Sequence, residues 1–322
     1  MSKLAVLFPG QGAQYSGMGT SLYNDYAKVR NLYGLIQPAL GYDLVELMFT
    51  GDAEELQLTE HTQPAILAHS IAAWTVLCSI LPQSCVEAAG GLSLGEFSAL
   101  VAAGVLDFSE ALSVVRERGI AMQNAVPIGE GGMAAVLGLA ADVILPILHD
   151  ISGKHGVLQI ANFNAPGQIV ISGQMSALDA VVEPLRAAGA ARVVTLPVSA
   201  PFHSSMLKPA AERLSHVLSE VVLSEFNLPV VANVTASFHP SLESVKPLLV
   251  QQVTSPVRWE QSIRFLIDQG CDLFVELGPG TTLSQFVRRI ARDSGASVGI
   301  ASLDKSSDLD NVRQVLAPLL AE

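Results

Sequence analysis

Short apolar runs of the strand type alternate with stretches of helical period along almost the whole chain. Residues 3–8, Lys-Leu-Ala-Val-Leu-Phe, read as a buried strand that ends at Pro9-Gly10. Helical spacing follows to about Leu40, and a long apolar helix is predicted over 64–81. A strand is predicted over 86–90 and a helix over 94–103. A further helix runs to Val126, capped by Asp107 or Ser109 with Glu110 in its first turn. Residues 127–132, Pro-Ile-Gly-Glu-Gly-Gly, then break the pattern. After them come strand 133–139, helix 141–151, strands 157–161 and 168–172, helix 176–188 and strand 192–196. That order, β-α-β-β-α-β, is a ferredoxin-like unit. Larger units resume with helix 206–221, strand 229–233, helix 257–269, strand 272–277, helix 282–291, strand 298–302 and helix 309–320. The alternation predicts an α/β chain. It divides into a large subdomain of 1–127 and 198–322 and a small ferredoxin-like subdomain of 128–197 inserted between them.

Composition narrows the function classes. The chain has 322 residues, of which 50% are hydrophobic and 15% charged, so it can bury a large core and is not disordered. Its 18 Lys+Arg against 30 Asp+Glu give a net charge of −12, a poor field for nucleic acid. Cys78, Cys85 and Cys271 are odd in number and form no Cys-x-x-Cys pair. That argues against a disulfide framework and a thiolate zinc site, and predicts a reducing, cytoplasmic setting. Residues 65–81 are the most membrane-like, but they carry His69, Ser70, Thr75 and Ser79, end at Pro82 and lack a flanking basic belt. They read as a core helix, with no membrane partner expected. The apolar run near the N-terminus is too short for a signal peptide.

Gly91-Leu92-Ser93-Leu94-Gly95 is a G-x-S-x-G between a predicted strand and a predicted helix, the context of a nucleophile elbow. A sharp turn there holds the serine Oγ out at a helix N-terminus, where the dipole favours developing negative charge. A serine needs a base. Of seven histidines, His203 lies in a strand-to-helix loop, Pro201-Phe202-His203-Ser204. His69 and His216 lie on helical patterns, and His61, His149, His155 and His239 lack motif context. Spacing alone leaves the base open, and no histidine pair has zinc spacing. Gly10-Gln11-Gly12 follows the first strand, but Tyr15 stands where a dinucleotide fingerprint needs glycine, and no Gly-Lys-Ser/Thr follows. The loop is either a tight turn or a donor of a backbone N–H to an oxyanion. Arg118, on a mostly apolar helix, is either a surface cation or, if it faces the cleft, a fork for a carboxylate.

Together these residues resemble the malonyl-CoA:acyl carrier protein transacylase family. The resemblance takes in Phe8-Pro9-Gly10-Gln11-Gly12-Ala13-Gln14, Thr62-Gln63-Pro64-Ala65, Gly91-Leu92-Ser93-Leu94-Gly95-Glu96 and Arg118-Gly119. It continues through Asn164-Ala165-Pro166-Gly167-Gln168, Pro201-Phe202-His203-Ser204, Ser255-Pro256-Val257-Arg258-Trp259 and Glu276-Leu277-Gly278-Pro279-Gly280. It implies an α/β-hydrolase-like large subdomain and a Ser93–His203 dyad whose histidine is oriented by a backbone carbonyl near Gln252. It implies an oxyanion hole of the Gln11 and Leu94 amides, Arg118 on the malonyl carboxylate, and Asn162 and Arg192 near the substrate channel. The implied reaction moves malonyl from malonyl-CoA to the phosphopantetheine thiol of acyl carrier protein for fatty-acid synthesis. Neither metal nor cofactor is implied, and a monomer is expected. A trans-acting polyketide acyltransferase and a carrier-protein acyl hydrolase are the alternatives. One departure stands beside the nucleophile: many members have His where this chain has Leu92.

Overall fold

The computed structural model describes residues 2–198 and 200–320. Among them the strands are β1 (Leu4–Phe8), β2 (Val86–Gly91), β3 (Gly131–Leu137), β4 (Leu158–Ala165), β5 (Gln168–Gln174), β6 (Arg192–Thr195), β7 (Val230–Ala232), β8 (Ser237–Phe238), β9 (Leu273–Leu277) and β10 (Gly299–Leu303). β1 is buried at every position because both its faces are covered. Leu4, Val6 and Phe8 enter one core, dominated by the Thr59–Leu77 and Phe108–Asn124 helices. Ala5 and Leu7 enter another, beneath the Trp259–Asp268 and Thr282–Ser294 helices. A strand buried on both faces belongs in the middle of a parallel sheet, and β1 pairs in parallel with β2 and β9. The sheet order is β10-β9-β1-β2-β7-β8, antiparallel only at β7–β8.

The second sheet, β4-β5-β3-β6, is antiparallel at every pair. One face buries Ala134, Val136, Ile160 and Ile171 under the Ala141–His155 and Met175–Ala187 helices. Met133, Ala161 and Val170 turn the other way, into the core of the large sheet. The two sheets are also tied by backbone: Val257 N–H donates to Ala161 O at 2.8 Å and Phe163 N–H to Val257 O at 2.9 Å.

Several expectations are corrected. The stretch to Leu40 is three short helices, Thr20–Asp25, Ala27–Tyr33 and Ile36–Leu40, because Tyr26 turns extended (φ −124°, ψ 115°) after the first and Gly34 ends the second. The long apolar helix begins at Thr59 and carries Pro64 in its second turn, where buried neighbours on all sides outweigh the one lost hydrogen bond. The chain's last helix divides at Leu316, ahead of Pro318. The helices Leu44–Phe49, Ala53–Gln57 and Val245–Gln252 were not expected from the pattern. Asp43 and Asp52, which cap the first two by accepting from Glu46 N–H and Glu54 N–H, were their legible signal.

Candidate active site

β2 passes into the Leu94–Ala102 helix through a turn that only glycine permits on either side. A Cβ on Gly91 would stand 1.9 Å from the Gly95 backbone, and one on Gly95 would stand 2.0 Å from the Phe8 carbonyl oxygen. Ser93, between them, has φ 54° and ψ −104°, a conformation L-residues rarely hold. Asn233 pins it from the end of β7. Its Oδ1 accepts from Ser93 N–H at 2.6 Å, and its Nδ2 donates to Gly91 O at 2.7 Å.

His203 comes from the loop after β6 and also has positive φ, 59°. Ser204 Oγ donates to Pro201 O at 2.7 Å, and Ser205 N–H donates to Gln159 Oε1 at 2.7 Å, which moors the loop to β4. Ser199, in the same loop, lies outside the described residues. His203 Nε2 is 2.8 Å from Ser93 Oγ, and Nδ1 is 2.8 Å from Gln252 O. A carbonyl can only accept, so the proton sits on Nδ1 and the Nε2 lone pair faces the serine. Burial first, and the Arg118 charge second, lower the imidazole pKa from 6.5 to about 4, against the pull of the Gln252 carbonyl. The ring is therefore an unprotonated base at neutral pH.

Arg118 is 1% exposed, so the surface alternative is overturned: the helix turns it inward. Nη1 donates to Gln63 Oε1 at 2.8 Å, and Nη2 donates to Gln252 Oε1 at 2.9 Å and to Ser93 Oγ at 3.0 Å. The Phe97 ring lies beneath it at 5.4 Å. Burial lowers its pKa to about 10 and Glu96 opposes the fall, so the guanidinium stays charged at neutral pH.

These groups line a cavity of about 230 Å³ between the two sheets, with Gln11, Leu94 and Asn162 on its wall. Leu94 supplies the first amide of its helix, which has no carbonyl one turn back to bond. Leu92 also lines the cavity. Gln252 is fully buried and meets the site through both its side chain and its carbonyl. Arg192 is not brought in. It is exposed at the start of edge strand β6, opposite Leu137, and the residues of that segment that reach the cavity are Leu196 and Val198. Sequence reasoning assigned no role to Gln63, Glu96, Asn233 or His239. Gln63 and Glu96 lie inside quoted motifs, whereas Asn233 and His239 have no local signal.

The Acyl transferase domain family matches residues 6–318. The chain belongs to this family. Among curated members, it is 44% identical over 294 residues to the malonyl CoA-acyl carrier protein transacylase of Bacillus subtilis (strain 168), covering 91% of this chain and 92% of that one. Among solved family structures, the malonyl CoA-acyl carrier protein transacylase from Clostridium perfringens superposes with a TM-score of 0.94 at 37% identity, over 99% of each chain. Another acyl transferase, PlMCAT, was solved as a malonyl-transacylase in complex with the type II PKS acyl-carrier protein AntF. It superposes with a TM-score of 0.92 at 36% identity, covering 98% of this chain and 100% of that one.

Proposed function

We propose that this acyl transferase moves the malonyl group from malonyl-CoA to the phosphopantetheine thiol of acyl carrier protein, supplying malonate for fatty-acid synthesis. The observation that carries the reading is that base and carboxylate-binding cation meet at one nucleophile. Ser93 Oγ lies 2.8 Å from His203 Nε2 and 3.0 Å from Arg118 Nη2. His203 takes the hydroxyl proton as Ser93 attacks the thioester carbonyl. The Gln11 and Leu94 amides receive the oxyanion, since Ser93 N–H is already committed to Asn233. The C–S bond breaks, the proton passes to the CoA sulfur, and a malonyl-serine ester remains. The carrier-protein thiol then repeats the sequence, with His203 again as base. Arg118 is set to pair with the free malonyl carboxylate. Asn162 lines the channel, and Arg192 is left without a role at the reacting atoms.

On this reading residues 128–197 are a ferredoxin-like subdomain, supported by the antiparallel order β4-β5-β3-β6. Residues 1–127 and 198–322 are an α/β-hydrolase-like one, supported by the nucleophile at the end of central strand β2. The chemistry asks for no metal or redox cofactor, and the chain acts as a cytoplasmic monomer. The complex of PlMCAT with AntF favours a polyketide carrier protein as the second acceptor to test.

The deciding experiment is intact-mass analysis after incubation with malonyl-CoA. One malonyl adduct is expected, absent in Ser93→Ala and discharged by carrier protein. An adduct that survives Ser93→Ala refutes the nucleophile. Discharge by water as fast as by carrier protein refutes the transferase in favour of a hydrolase.

A further inference from the structure

Behind the nucleophile lies a buried polar cluster that does not line the cavity. Glu96, in the first turn of the Leu94–Ala102 helix, is 1% exposed. Its Oε2 accepts from Gln252 Nε2 at 2.7 Å and from Asn233 N–H at 3.0 Å. Its Oε1 lies 3.0 Å from His239 Nε2. Gln252 stands between this carboxylate and the cation of the site. Its Nε2 donates to Glu96 and, at 3.0 Å, to Ser93 O, while its Oε1 accepts from Arg118 Nη2 at 2.9 Å.

A glutamine amide has a donor end and an acceptor end and can be turned over. Here only one orientation is tolerable. A carboxylate accepts only and a guanidinium donates only. Turned over, Gln252 would face Glu96 with its oxygen and Arg118 with its NH2, making two repulsive contacts in a dry site. Held as it is, Gln252 Oε1 works with Gln63 Oε1 to fix both terminal nitrogens of Arg118.

We propose that Glu96 is a positioning residue for the carboxylate clamp, acting through the amide of Gln252 to aim Arg118 at the acyl group on Ser93. The inference rests on Arg118 binding the malonyl carboxylate. His239 closes the carboxylate's third side and so keeps its two oxygens in register with Gln252 and Asn233. Glu96 thereby sets acyl selectivity without touching substrate.

The test is kcat/KM for malonyl-CoA and acetyl-CoA in Glu96→Ala, Glu96→Gln and Arg118→Ala. Misplacing a reacting-site group by about 1 Å can cost about 10²-fold. Glu96→Ala should accordingly cost malonyl transfer at least tenfold more than acetyl transfer. Glu96→Gln still offers an oxygen to Gln252 Nε2 and should keep the malonyl-to-acetyl ratio within about threefold of wild type. If Glu96→Ala does not fold, Glu96→Asp, which withdraws the carboxylate by one methylene, should narrow the ratio in the same direction. A folded Glu96→Ala or Glu96→Asp variant that slows both acyl groups equally overturns the proposal and leaves Glu96 a structural residue. Arg118→Ala separates the two levels. If it changes the ratio and Glu96→Ala does not, the positioning role alone fails. If Arg118→Ala leaves the ratio unchanged, the carboxylate clamp itself fails.

Discussion

Removing the Arg118 charge should move the acid limb of acylation to higher pH. Hydrogen bonds of 3.0 Å and 2.8 Å link the guanidinium to the imidazole through Ser93 Oγ. Charge and ring nitrogen therefore lie within about 6 Å, which at an effective dielectric of ~20 costs the imidazolium roughly 3 kcal/mol, or about 2 pK units. Burial is the larger of the two lowering effects, the backbone hydrogen bonds to Gln252 and Ser255 offset part of both, and the substitution leaves the burial in place. In Arg118→Met the imidazolium is less penalised, so the His203 pKa rises and the base is protonated at higher pH. The inflection in kcat/KM, which reports the free enzyme, should move from near pH 4 to between about 5 and 6. Single-turnover release of CoA thiol from acetyl-CoA, after a pH jump from neutral buffer, measures it in both proteins with the same substrate. An inflection that stays near pH 4 in a folded Arg118→Met variant refutes the electrostatic link between clamp and base. So does one that moves down.

Further expectations follow from neighbouring geometry. His203→Ala should slow acylation by about 10²–10⁴-fold, read as the rate of adduct formation by mass. Gly95→Ala places a Cβ 2.0 Å from the Phe8 carbonyl oxygen, so the elbow must open; urea unfolding should show a loss of several kcal/mol, with no serine adduct. Asn233→Leu removes the acceptor for Ser93 N–H and the donor to Gly91 O, and should lower kcat for both acyl groups with little change in their ratio. Arg288 and Arg289 on the Thr282–Ser294 helix, and Lys208 just after His203, are exposed cations on a chain of net charge −12. Reversing their charges should weaken carrier-protein discharge of the acyl-enzyme more than its formation from malonyl-CoA, with the difference shrinking in salt.

The elbow was legible because its constraint is steric and local. Two glycines, a strand before and a helix after are all within one short window, and the glycines are explained by the backbone that a Cβ at either would strike, at 1.9 and 2.0 Å. The strands were legible where burial on both faces made them apolar runs, continuous in β1 and broken only by Glu276 in β9. Arg118 was ambiguous because a helix's period says which residues share a face but not what that face meets. Of the residues that orient the elbow and its base, Asn233 was not legible, and Gln252 came only through the family resemblance. Asn233 is 140 positions from Ser93 and Gln252 is 49 from His203, and each acts through an ordinary amide or a main-chain carbonyl. The Val245–Gln252 helix, which delivers that carbonyl, has too short and mixed an apolar pattern to announce itself.

The carbonyl of Gln252 behind His203 has a consequence for the direction of transfer. Among the described residues it occupies the position at Nδ1 where many serine enzymes place a carboxylate. A dipole orients the ring but lends the imidazolium no full opposing charge, and Arg118 makes that ion costlier still. The proton is thus held briefly and handed on to whichever group departs. A thiol, with an ordinary pKa near ~8.5, departs without help from a strong acid. On the proposed mechanism, each half of the reaction interconverts one thioester with the same serine ester. A base that is poor at holding protons favours neither half, and the traffic between the two thiols follows their relative abundance.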